Sequence, residues 1–141
     1  AVGFTYSAHP VGAAAALKNI EIIERENLLE HVREVGPYFM EQLGTLLDLA
    51  IVGDVRGSHL LACVELVTDK ETKQAFPEEY DVGLRIYEIA HDMGLVVRAM
   101  GGMIVMSPAL VISKEEIDFV VVSLRATINK ISEEATAAGH I

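Results

Sequence analysis

Leu95-Val96-Val97-Arg98 and Met103-Ile104-Val105-Met106 stand on either side of Met100-Gly101-Gly102. Two short apolar runs joined by glycines are the pattern of a β-hairpin, and Pro108 closes the second run because it cannot continue a strand ladder. Directly after it, Ser113-Lys114-Glu115-Glu116 has the form of a capping box. There Ser113 can accept from a backbone N–H and Glu116 can reach back to the cap. The apolar positions Ile117, Val120, Val121, Leu124, Ile128 and Ile131 follow at helical spacing, with a polar tail after Glu133 expected to fray.

The same alternation of strand and helix extends towards the N-terminus. Val82, Ile86, Ile89 and Met93 mark a helix that ends at Gly94, which takes a left-handed cap conformation at little cost. Before it, Thr68 to Glu79 is a polar excursion. Ile51 to Val55 and Leu60 to Val67 are rich in aliphatic residues and predict two neighbouring strands joined by Arg56-Gly57-Ser58. Further upstream, Leu29, Val32, Val35, Phe39, Leu43, Leu46 and Leu47 form one apolar stripe, with a kink expected at Gly36-Pro37. A first helix runs from Pro10 to about Glu26, with Leu17, Ile20 and Ile22 or Ile23 expected to face inward. Helices before, between and after short strands predict an α+β fold, a small antiparallel-rich sheet covered on one face by helices.

With 141 residues and 51% apolar content, the chain can bury a core of its own and corresponds to one domain. Its 21 acidic against 11 basic residues give a formal charge of -10, which repels nucleic acid and anionic membranes. No apolar run approaches the roughly 18 residues that span a bilayer, and the first residues lack the layout of a secretory signal. A soluble, cytoplasmic protein is the expectation. Cys63 is the single cysteine, so no internal disulfide is possible, and its apolar stretch predicts a buried thiol that acts as a small hydrophobe, in keeping with a reducing compartment. The five histidines show no zinc spacing, and no metal is expected.

Two places carry chemistry. In Gly3-Phe4-Thr5-Tyr6-Ser7-Ala8-His9-Pro10, Pro10 suits the first turn of a helix, Ser7 or His9 can cap it, and the Thr5 hydroxyl can donate to a phosphate oxygen. The same spacing also describes an ordinary capping turn. At the second place, Arg98 ends a predicted strand just before a glycine turn. Its planar, permanently charged fork matches a carboxylate through two hydrogen bonds, although it also suits a structural salt bridge. Glu65 and Asp54 fall on different predicted elements with no evident partner, so no acid pair for proton transfer is read from them.

The order aromatic-Thr-Tyr-Ser-small-His-Pro followed by an alanine-rich helix resembles the class III aminotransferases, pyridoxal-phosphate enzymes of fold type I. The segments Arg56 to Leu66 and Gly94 to Ile112 carry the resemblance further, and it covers nearly the whole chain. It implies that residues 1–27 are the end of the large domain and the connecting helix, and that 28–141 are the C-terminal small domain. It implies that Phe4 and Thr5 bind pyridoxal 5'-phosphate across a homodimer boundary, and that Arg98 holds a substrate carboxylate. The implied substrates are a primary amine or ω-amino acid as donor and a 2-oxo acid such as pyruvate as acceptor. A sister enzyme on the same scaffold, such as an aminomutase or a decarboxylating aminotransferase, shares Thr5. A non-catalytic ligand-binding or regulatory domain is the alternative from outside the family.

The lysine that bonds to the cofactor lies upstream of the Thr5 segment in that family, as do the aspartate for the ring nitrogen and the glycine-serine phosphate loop. The chain therefore resembles the C-terminal part of a longer enzyme, inactive alone and with no catalytic residue of its own. Arg56, another family marker, is expected in an ion pair within the fold. Departures from the family pattern are Ala8 and His59 in place of common glycines, Gly102 in place of a frequent acid, and Ala109 in place of a usual second proline.

Overall fold

The computed structural model describes Gly3 and residues 5–141; the Phe4 expectation lies outside the described residues. Four strands form one antiparallel sheet: β1 (Val52–Ser58), β2 (Leu61–Leu66), β3 (Arg98–Met100) and β4 (Met103–Met106), in the order β1-β2-β4-β3. The described residues also form four helices, α1 (Pro10–Arg25), α2 (Leu28–Gly44), α3 (Val82–Asp92) and α4 (Lys114–Ala137), of which α2, α3 and α4 cover one face of the sheet. The fold is α+β, as the alternation of signals predicts.

The sheet is two-sided in the strict sense of strand geometry, where neighbouring residues point to opposite faces. On β2, Ala62, Val64 and Leu66 are buried, whereas Leu61 is exposed and Cys63 and Glu65 are half-buried. The buried row meets Ile104 and Met106 of β4 and packs under Val35, Phe39 and Leu43 of α2, Ile86 and Ile89 of α3, and Ile117, Leu124, Ile128 and Ile131 of α4. Burying each large aliphatic side chain contributes roughly 1.5–3 kcal/mol, so this single layer of contacts holds the domain together. The other face of the sheet has no helix of the described chain on it.

Several boundaries differ from the sequence reading, each for a local reason. Arg56, Gly57 and Ser58 continue β1 and do not form a connector; they pair with Cys63, Ala62 and Leu61. Gly57 permits this because a Cβ there would lie 2.2 Å from the Leu61 carbonyl oxygen. The turn moves to His59 and Leu60, and His59 takes φ 51°. At the other edge, Arg98 begins β3 where it was expected to end a strand, since Leu95 is still tied to the helix end through its N–H to the Ala90 carbonyl, 2.9 Å.

The helices also depart in places. Leu17 and Ile20 of α1 are 70% and 52% exposed, against the inward expectation, and no residue of α1 is buried. Leu29 and Leu47 likewise lie outside the core that their stripe predicted. α2 runs as one helix through Pro37, as the in-phase stripe predicts, and its Gly36 sits directly beneath His59, where a Cβ would approach the His59 Cα to 2.7 Å. The tail after Glu133 is helical to Ala137: Glu134 accepts two hydrogen bonds from Arg85 Nη2, at 2.7 and 2.9 Å, and Ala135 is fully buried.

The start of α4 matches its expectation atom by atom. Glu116 N–H donates to Ser113 Oγ at 3.2 Å, and Ser113 N–H donates to Glu116 Oε2 at 2.8 Å. Ser113→Ala removes one half of this exchange and is expected to lower stability by about 1 kcal/mol. Urea unfolding of wild type and variant checks it, with a lower midpoint at unchanged slope as the expected result.

Candidate functional site

The open face of the sheet is built from side chains that strand alternation turns away from the core. The pairing registers arrange them in two cross-strand rows: Arg56, Cys63, Val105 and Arg98 in one, and Asp54, Glu65, Met103 and Met100 in the next. Arg56 and Arg98 therefore occupy opposite edges of the same row.

Their surroundings differ. Arg56 Nη1 donates to Asp54 Oδ2 at 3.0 Å and to Glu65 Oε2, and its Nη2 lies 3.5 Å from Met103 Sδ. The Glu65 and Asp54 carboxylates hold the guanidinium pKa above its ordinary value. The expected ion pair of Arg56 is present, and the register supplies the partners for Asp54 and Glu65 that the sequence left without one. Arg98, by contrast, is exposed and makes no ion pair or side-chain hydrogen bond. It stands at the rim of a groove of about 470 Å³ lined by Phe39, Leu95, Val97, Val105, Pro108 and Val120. An unpaired fork beside apolar walls is suited to a carboxylate, because low polarity strengthens charge-assisted hydrogen bonds.

Cys63, between the two arginines, is half-buried where full burial was expected. Desolvation pushes its thiol up in pKa and outweighs the opposing effect of Arg56, so it stays protonated at neutral pH and is a poor nucleophile.

The second candidate region is the turn over residues 5–8 that leads into α1. His9 is the N-cap; its Nδ1 accepts from the Gly12 N–H at 3.4 Å, and Pro10 opens the helix. Ala8 takes φ 60°, the conformation that glycine adopts most cheaply. Thr5 is exposed in the turn, its hydroxyl open to an anion, and no hydrogen bond joins it to Arg98.

Four of the five lysines are otherwise engaged. Lys18 pairs with Glu21 at 2.7 Å and Lys114 with Glu34 at 2.9 Å. Lys70 donates to the Leu47 and Leu49 carbonyls, and Lys73 to that of Gly53. Among the described residues no group of three or more His, Cys, Asp or Glu side chains is arranged to hold a metal ion, and no helix is long and apolar enough to cross a membrane.

Comparison with known proteins settles the family. The family model described as aminotransferase class-III matches residues 1–128. The chain belongs to the class III aminotransferases. It is 41% identical over 141 residues to an uncharacterized aminotransferase of Sinorhizobium fredii, covering 98% of this chain and 30% of that protein. It is 38% identical over 136 residues to the putrescine–pyruvate aminotransferase of Pseudomonas aeruginosa, covering 96% of this chain and 30% of that one. Among solved structures, the (S)-enantioselective omega-transaminase of Thermomicrobium roseum superposes with a TM-score of 0.88 at 38% identity, over 92% of this chain and 29% of that one. This class III chain thus spans under a third of the length of these relatives.

Protonation of Cys63 has a direct readout. Iodoacetamide at pH 7.5 is expected to modify the folded class III chain several-fold more slowly than the same chain in urea at the same pH. Equal rates would show that neither burial nor charge protects the thiol.

Proposed function

We propose that the full-length protein transfers an amino group from a primary amine or ω-amino acid to a 2-oxo acid such as pyruvate, using pyridoxal 5'-phosphate. The observation that carries this reading is Arg98, an unpaired guanidinium on a rigid strand at the mouth of an apolar groove. Aminotransferases must recognise a carboxylate on at least one substrate, and this fork offers two parallel donors in fixed geometry. The named acceptor of the Pseudomonas aeruginosa relative, pyruvate, is a substrate of this kind.

The residues present fit part of a cofactor site. Thr5, in the exposed turn before α1, has a free donor for a phosphate oxygen, and Phe4 beside it is the second position that the family resemblance assigns to the cofactor. When bound, pyridoxal phosphate supplies the electron-poor ring that carries the amino group between donor and acceptor. The protein's own contribution here is to grip and orient: Thr5 holds the phosphate, while Arg98 fixes the carboxylate and with it the reacting carbon. Four of the five lysines, Lys18, Lys70, Lys73 and Lys114, are committed to other partners, which supports a cofactor-bonding lysine elsewhere in the longer enzyme.

In this reading, residues 1–27 lead out of the large domain, and 28–141 form the small domain. The exposed apolar side chains of α1 support that division, since a helix with no buried residue in its own chain has a face to place against another part. A cytoplasmic homodimer, with Thr5 serving the neighbouring subunit's cofactor, completes the proposal.

Two substitutions test it in the full-length enzyme. Thr5→Val removes a charge-assisted hydrogen bond of about 1.5–3 kcal/mol and is expected to weaken cofactor affinity by roughly tenfold or more, read by spectroscopic titration. Arg98→Ala is expected to depress kcat/KM for carboxylate substrates while sparing simple amine donors, read by steady-state kinetics with both. Equal losses on both substrate types would contradict carboxylate recognition.

A further inference from the structure

The freedom of Arg98 needs an explanation, because the molecule carries 21 acidic residues and two of them share its face of the sheet. Asp54 and Glu65 are the carboxylates on the open-face rows, and both are taken by Arg56. From the register, Glu65 stands two strands from Arg98 and two residues along. With strands about 4.8 Å apart and a rise of about 3.4 Å per residue, the Cα atoms are roughly 12 Å apart. Extended glutamate and arginine side chains bridge such a gap over Met103, and the Arg56 guanidinium itself already reaches Met103 on β4. Without Arg56, Glu65 would be left as an exposed carboxylate facing a single open cation on the same surface.

We propose that Arg56 is a positioning residue: by binding Glu65, with Asp54 as its second partner, it keeps the Glu65 carboxylate off Arg98 and leaves that guanidinium open to the substrate. The inference rests on the carboxylate-binding reading of Arg98. It gives a use to an ion-pair cluster whose contribution to stability alone is small, since Arg56, Asp54 and Glu65 are all more than a third exposed. The ladder also fixes the geometry: β2 lies directly beside β1, so Arg56 reaches Glu65 across one strand spacing while Arg98 must reach across two.

A merely structural ion pair and a positioning one predict different kinetics. In the full-length enzyme, Arg56→Gln is expected to raise KM for pyruvate roughly threefold to fivefold, the competition that an exposed ion pair exerts, with KM for benzylamine unchanged. Adding Asp54→Asn and Glu65→Gln to Arg56→Gln removes the competing Glu65 carboxylate along with its neighbour Asp54 and is expected to return KM for pyruvate to near wild type, although the triple variant has lost the whole ion-pair cluster. An unchanged KM in Arg56→Gln, or a triple variant as impaired as the single one, would overturn the proposal. Arg98→Ala measured alongside keeps the two readings apart: equal losses on pyruvate and benzylamine would remove the carboxylate site itself, whereas a pyruvate-selective loss without the Arg56 effect would remove only the positioning role.

Discussion

The alternation of side chains along β2 governs the rest of the molecule. Ala62, Val64 and Leu66 point into the core, and Leu61, Cys63 and Glu65 point away from it. A shift by one residue would exchange the two sets, exposing the apolar row and burying a carboxylate. The helices secure the register from one side, because Phe39, Ile86 and Leu124 have no other surface to cover. The chemistry on the other side inherits its order from the same constraint: Arg56 and Arg98 share a row because β2 and β4 between them are in register.

Much of this was legible in the sequence where a local signal and a tertiary role coincide. The capping box at Ser113 and Glu116 and the stripe from Ile117 to Ile131 define α4 with no help from the rest of the chain. Gly94, at φ 81°, ends α3 as its position suggests. The failures occur where the deciding partner is distant in sequence. Arg56-Gly57-Ser58 has turn composition, yet close approach to Leu61 and Ala62 draws it into the ladder. The residues after Glu133 are polar, yet Arg85 anchors Glu134 from 49 positions away. Leu17 and Ile20 have core composition but no cover within this chain.

The candidate site divides in the same manner. Arg98 was legible as a fork at a strand end and Thr5 as a hydroxyl before a helix, because both depend on neighbouring residues. The arrangement that sets Arg56, Asp54 and Glu65 apart from Arg98 depends on strand register and could not be read along the chain. Two departures from the family pattern also gain a structural meaning: Ala8 and His59 stand where glycine is common, and both adopt positive φ, 60° and 51°. The fold keeps those left-handed turns and tolerates strain of order 1 kcal/mol at each.

The seat of His59 on Gly36 extends beyond local packing. The β1–β2 turn meets α2 at a glycine, with the Cα, Cβ and Cδ2 atoms of His59 directly over Gly36, so any side chain at position 36 would push the hairpin tip away from the helix. The missing side chain at that one position is what lets the β1 edge of the sheet, which carries Arg56, settle onto α2.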